Sequence, residues 1–180
     1  LINPESEKNT TKFSISISGS DRTLKLENEC DPIEYSNLDA DGHIVSPIFH
    51  EISDDVFKKI KSDSNFLFVD PQGFLRQKDS NNNIILKKTD LDFLNVNAIK
   101  INPEEGQNIV SGSHDEMMLA LQKKGIEYVL LTNKVDVSLL VKNRVYSLKL
   151  PNKNIHDTTG IGDIFCSAFT CTMLKEKDFL

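Results

Sequence analysis

The pattern of apolar and polar positions divides the chain into alternating strand-like and helix-like stretches. Lys12-Phe13-Ser14-Ile15-Ser16-Ile17-Ser18 alternates with period two, and so does Arg22-Thr23-Leu24-Lys25-Leu26-Glu27. Gly19-Ser20-Asp21 between them has turn chemistry, which predicts a β-hairpin with one apolar face. Short apolar runs at 66–69 and 128–132 fit buried parallel strands, at whose carboxyl ends ligands gather, and a further strand is predicted at Ala98-Ile99-Lys100-Ile101. Val56, Phe57 and Ile60 share a helix face behind Ser53 as N-cap. Met117, Met118 and Leu121 build an amphipathic helix from His114 to Lys124 that closes at Gly125. Residues 137–141 and 144–150 predict a second hairpin, turning at Lys142-Asn143. Ile164, Phe165, Ala168, Phe169 and Thr172 recur at helical spacing and predict one buried face. Residues 1–11 read as a polar connection and 79–83 as a surface loop.

This alternation predicts a single α/β domain over 1–180, a three-layer sandwich. Its central sheet is largely parallel, and a β-hairpin at about 12–27 projects from it. The 180 residues allow one sizeable core rather than two. A net charge of −6 argues against a nucleic-acid or anionic-membrane surface. No apolar run reaches membrane-spanning length, and the opening Leu1-Ile2-Asn3-Pro4 is no signal peptide. Cys30, Cys166 and Cys171 lack metal-type spacing and read as reduced intracellular thiols, so a cytoplasmic location is expected.

The chemistry concentrates in His156-Asp157-Thr158-Thr159-Gly160-Ile161-Gly162-Asp163, directly before the last helix. Two glycines one residue apart let the backbone approach a ligand closely. Free N–H groups at a helix start, reinforced by the helix dipole, suit an anionic oxygen. Asp163 stands in that first turn, where it can accept a proton from a hydroxyl. Asn102-Pro103-Glu104-Glu105 follows the strand at 98–101. An amide and a carboxylate there can hold water around Mg²⁺; an N-cap asparagine with acids in the first turn is the alternative.

Asp157-Thr158-Thr159-Gly160-Ile161-Gly162-Asp163 resembles the D-T-x-G-A-G-D signature of the ribokinase (pfkB) family of sugar and nucleoside kinases. Asn102 and Glu105 match that family's N-x-x-E, in the family's order. Asp70-Pro71-Gln72-Gly73-Phe74-Leu75-Arg76 looks like the D-x-Q-G-F-x-R of inositol-kinase-like members, and equally like a structural turn. The resemblance implies ATP-dependent phosphorylation of a hydroxyl on a small sugar, polyol or nucleoside. Asp163 would be the base, with the N–H groups of Gly160, Ile161 and Gly162 as anion hole. Mg²⁺ would be positioned through water by Asn102 and Glu105, and K⁺ by Asp157 and Thr159. The hairpin would serve as lid and as a homodimer contact.

One departure from the family is plain. Where a T-x-G-x-x-G loop is expected, the chain reads Thr132-Asn133-Lys134-Val135-Asp136-Val137, without glycine. Thr132, Asn133 and Lys134 are the residues left to contact a nucleotide phosphate, Lys134 as a point charge. The departure keeps open a degenerate, non-catalytic binding or regulatory protein. An unrelated Rossmann-like phosphate binder is a third reading, disfavoured by the order of the motifs. The chain also opens without methionine and reaches its glycine loop near its end, so it is expected to be the middle of a longer protein.

Overall fold

The computed structural model describes residues 10–18, 21–133, 135–151 and 160–176. Strands β1 (Lys12–Ser18) and β2 (Asp21–Asn28) are followed by β3 (His43–Val45), helix α1 (Asp54–Asp63) and β4 (Leu67–Val69). A short α2 (Gln72–Leu75) leads into β5 (Arg76–Lys78) and β6 (Ile84–Leu86). Then come β7 (Ala98–Ile101), α3 (Pro103–Ile109), α4 (His114–Lys123) and β8 (Tyr128–Thr132). Strands β9 (Asp136–Val141) and β10 (Arg144–Lys149) precede the last helix, α5 (Ile161–Lys175).

Six strands form the central sheet in the order β10-β9-β8-β7-β4-β3. The pairs β3–β4, β4–β7 and β7–β8 are parallel, while β9 and β10 run antiparallel at one edge. Strand periodicity assigns the layers. Leu67, Val69, Ile99, Ile101, Val129 and Leu131 face a core that holds Phe57 and Ile60 of α1 and Met118 and Leu121 of α4. Phe68, Ala98 and Leu130 point to the other face, against Cys166, Phe165 and Phe169 of α5. Helices therefore cover both faces, and the three-layer sandwich stands. Each fully buried Leu, Val or Phe of these strands contributes about 1.5–3 kcal/mol.

Most predicted elements form, with three differences. The 79–83 stretch is the turn of a small hairpin, since β5 and β6 pair antiparallel on either side of it. Strand β3 is present with no apolar run to announce it; His43, Ile44 and Val45 are recruited by the neighbouring β4. The buried face of α5 is rotated from the expected one. Cys166 and Thr170 are buried and Phe165, Phe169 and Met173 half-buried, whereas Ile164, at 71 % exposure, faces outward with Ala168 and Thr172. The sheet accepts the row 162, 165, 166, 169, 170, 173 because Gly162 and Cys166 are small enough to sit above charged and aromatic strand residues.

Two devices shape the segment that leaves β3. Glu51, itself buried, accepts the N–H groups of Ile48 at 2.5 Å and Phe49 at 2.6 Å. From the other side α2 packs so closely that a Cβ on Gly73 would lie 2.3 Å from the Pro47 carbonyl oxygen. Backbone on both sides leaves no flexible atom to yield. Gly73→Ala is expected to cost on the order of 1–3 kcal/mol through overpacking, read as a lower urea midpoint. An unchanged midpoint would show that α2 does not clamp Pro47.

Candidate active site

The parallel strands end in one row. Phe68 pairs with Ala98 and Val45 with Val69, so the next residues to share a level are Ser46, Asp70 and Lys100. Asp70 and Lys100 form an ion pair in which the carboxylate is 1 % and the ammonium side chain 12 % exposed. The first turn of α5 sits above this row. Ser46 Oγ donates to Asp163 Oδ1 at 3.2 Å, and a Cβ added to Gly162 would lie 3.2 Å from Lys100 Nζ. Gly160 caps α5 with φ 78°, a left-handed conformation that glycine takes without steric cost. Asp163 lies in the first helical turn, at the carboxyl edge of the sheet, as the glycine loop led us to expect.

Asn102 and Glu105 stand at the end of β7, the strand that carries Lys100. Their side chains form a reciprocal capping box on α3: Asn102 Oδ1 accepts the Glu105 N–H at 2.8 Å, and Glu105 Oε2 accepts the Asn102 N–H at 2.9 Å. Burial pushes the Glu105 carboxyl above its usual range, and the charge of Asp70 adds to this against Lys100 and Arg76. Burial pulls Lys100 down, but the Asp70 carboxylate, its hydrogen bond and Glu105 outweigh it and the net shift is upward. The Cys166 thiol, enclosed beside them, is pushed up to about 12 by burial and by Asp70. It stays a neutral packing group. Asp70, Lys100 and Glu105 thus act on one another's charge at the ends of β4 and β7, with Gly162 directly against the first two.

The Asp70–Arg76 motif is part of this construction. Asp70 holds Lys100, and Gly73 abuts the Pro47 carbonyl. Arg76 Nη1 donates to the Ile48 carbonyl at 3.0 Å and Nη2 to Gln72 Oε1 at 2.9 Å. Its guanidinium carbon lies 5.5 Å from the Phe13 ring centroid of the hairpin.

The turn after β8 is closed on itself. Asn133 Oδ1 accepts the N–H groups of Val135 and Asp136 at 2.8 and 2.9 Å, and its own N–H donates to the Asp136 carbonyl at 3.0 Å. Thr132 Oγ1 donates to the Ile101 carbonyl at 3.4 Å. Lys134, Asp157 and Thr159 lie outside the described residues. His114 is exposed in the first turn of α4 and takes no part in the site. Sequence reasoning missed Ser46 and Lys100. The available signal was strand register: Lys100 is the polar member of the Ala98 face, one level below the glycine loop.

No protein-family model and no curated protein matches the sequence. Solved structures do. A pyrophosphate-dependent kinase of the ribokinase family, in a sulfate complex, superposes with a TM-score of 0.82 at 20 % identity, over 97 % of this chain and 65 % of that one. A pyrophosphate-dependent kinase of that family complexed with a pyrophosphate analogue and myo-inositol gives 0.81 at 20 % identity, over 97 % and 64 %. The ribokinase of Thermotoga maritima gives 0.68 at 15 % identity, over 92 % and 57 %. The chain has the ribokinase-like α/β fold, and it spans less than two thirds of the length of these relatives in structure. No described helix is long and apolar enough to cross a membrane.

The fields around Glu105 give a test by pH. Its raised pKa makes ionisation unfavourable to the fold, so stability declines as pH rises from 4.5 through the folded value. Glutamine keeps an acceptor for the Asn102 N–H and has nothing to ionise. The stability of Glu105→Gln relative to wild type should therefore improve between pH 4 and pH 7 in urea titrations. A relative loss over that interval would contradict the burial account.

Proposed function

We propose that the protein transfers a phosphoryl group from a phosphoanhydride, ATP being the donor its resemblance implies, to a hydroxyl of a small sugar, polyol or nucleoside. The observation that carries the reading is the placement of Asp163. It stands in the first turn of α5, behind left-handed Gly160, and is oriented by Ser46 at the carboxyl ends of parallel strands. The acceptor oxygen attacks phosphorus, its proton passes to Asp163, and the broken P–O bond leaves its electron pair on the departing phosphate. Gly160, Ile161 and Gly162 turn backbone N–H groups toward the charge on the transferring group, the kind of fixed electrostatics such reactions rely on.

Among the described residues no three of His, Cys, Asp or Glu converge to hold a metal directly. An amide and a carboxylate at a strand end, as Asn102 and Glu105 are, suit Mg²⁺ kept on water and donor phosphates rather than in a protein cage. Bound so, Mg²⁺ would neutralise the donor's phosphate charge. Asn102 and Glu105 would orient its waters. The K⁺ site assigned to Asp157 and Thr159 remains part of the proposal, as does a homodimer through the hairpin. Ile15 and Ile17 of that hairpin are 49 % and 75 % exposed. A second reading, a binding protein without turnover, is favoured by one observation: the self-closed turn at Asn133.

The test is a donor and acceptor screen on the full-length protein with Asp163→Asn beside wild type. Turnover should fall by roughly two to four orders of magnitude, the usual contribution of general-base catalysis. Donor affinity should change little, because the anion hole is backbone. Equal turnover by both proteins would remove Asp163 from the mechanism; absence of turnover in wild type with every donor and acceptor would favour the binding protein.

A further inference from the structure

Lys100 is the one residue of the site that neither the motifs nor the reaction scheme uses, and its situation is unusual. A lysine loses rotamer freedom and hydration when buried, and a buried ion pair is on average no gain over apolar packing. The strands on either side of the row are otherwise filled with Leu, Ile, Val, Phe and Ala, which would pack at no such cost. Lys100 also lies on the α5 face of β7, where its ammonium reaches the underside of the glycine loop. The space a Gly162 side chain would fill is 3.2 Å from Nζ and 3.8 Å from Asp70 Oδ2. Glycine at that position keeps the ammonium close to the backbone N–H groups of the loop.

We propose that Lys100 is a catalytic cation that contacts the phosphoryl group bound at the Gly160–Gly162 turn, and that Asp70 is its positioning residue. This rests on the phosphotransferase reading above and adds to it a side-chain charge. The ammonium stays protonated throughout and exchanges no proton with the reactants. Its work is to balance the negative charge of the transferring group while the P–O bond breaks and the bridging oxygen departs, with the bond's electron pair, on the leaving phosphate. Asp70, fixed at the end of β4, keeps the lysine from swinging to solvent. The self-closed Asn133 turn makes this contact more consequential, because its carboxamide oxygen and backbone N–H are already engaged within the turn.

The experiment uses full-length protein and two readouts: calorimetric binding of inorganic pyrophosphate and of ATP, and turnover with the best acceptor. Lys100→Met is expected to weaken anion binding about ten- to a hundredfold, the loss of one charge-assisted hydrogen bond. It should lower kcat by roughly a hundredfold or more, as removal of an anion-hole donor does, with acceptor KM unchanged. Lys100→Arg should recover part of both. The double variant Asp70→Asn/Lys100→Met carries no unpaired buried charge, so it keeps the fold even where the single variant does not. If the pair only stitches β4 to β7, the double variant regains wild-type anion binding and turnover, and the proposal falls. Wild-type binding in Lys100→Met, or no anion binding by wild type, overturns it equally. Lys100-dependent anion binding without turnover on any acceptor would uphold the lysine and refute the phosphotransferase instead.

Discussion

The site hangs on the ion pair between Asp70 and Lys100. It joins the ends of two parallel strands at the level where the first turn of α5 crosses them. Taking either partner away leaves the other buried and uncompensated, a change that costs on the order of 3–5 kcal/mol. The pair fixes a floor, and everything chemical is measured from it. Gly162 comes down onto it because it has no side chain, Gly160 turns the chain into the helix, and Asp163 emerges beside them to meet Ser46. Burial first, and then the Asp70 carboxylate, drive both Glu105 and Cys166 toward their neutral forms, with Lys100 opposing.

Around that floor the fold works as a set of clamps on the strand-to-loop transitions. Glu51 gathers the backbone of Ile48 and Phe49, Gly73 presses on Pro47, and Arg76 ties Ile48 to the α2 turn and then reaches Phe13. Residues 46–51 thereby couple the hairpin to the first turn of α5, with the Phe49 ring against Phe13 at one end and Ser46 on Asp163 at the other. The Asp70–Arg76 motif is both a structural turn and a part of the site, since one end holds Lys100 and the other holds this segment.

Much of this was legible in the sequence, and the reasons differ by residue. Apolar runs located β4 and β8 because strands buried on both faces carry few polar positions to hide them, whereas β7 reads as a strand in spite of Lys100. The glycine loop and Asp163 were legible because positive φ and close approach restrict residue type. Strand β3 was not, since a three-residue strand is set by its neighbour rather than by its own pattern. The face of α5 was misjudged for a physical reason: hydrophobicity counted Ile164 and Ala168 inward, but the sheet below presents Lys100 and Phe68, which admit Gly162 and Cys166. Ser46 and Lys100 escaped because their importance lies in register across strands, which a single pass along the chain does not show.

The central claim is that phosphoryl charge is held between the α5 N-terminus and the ends of β3, β4 and β7. A crystal structure of the full-length protein soaked with orthovanadate and a polyol tests it most directly. The account predicts vanadate within hydrogen-bond distance of the Gly160–Gly162 N–H groups, with an acceptor oxygen beside the Asp163 carboxylate. Vanadate bound instead in the polar cavity of about 600 Å³ between β2 and His50, with the glycine loop empty, would contradict it.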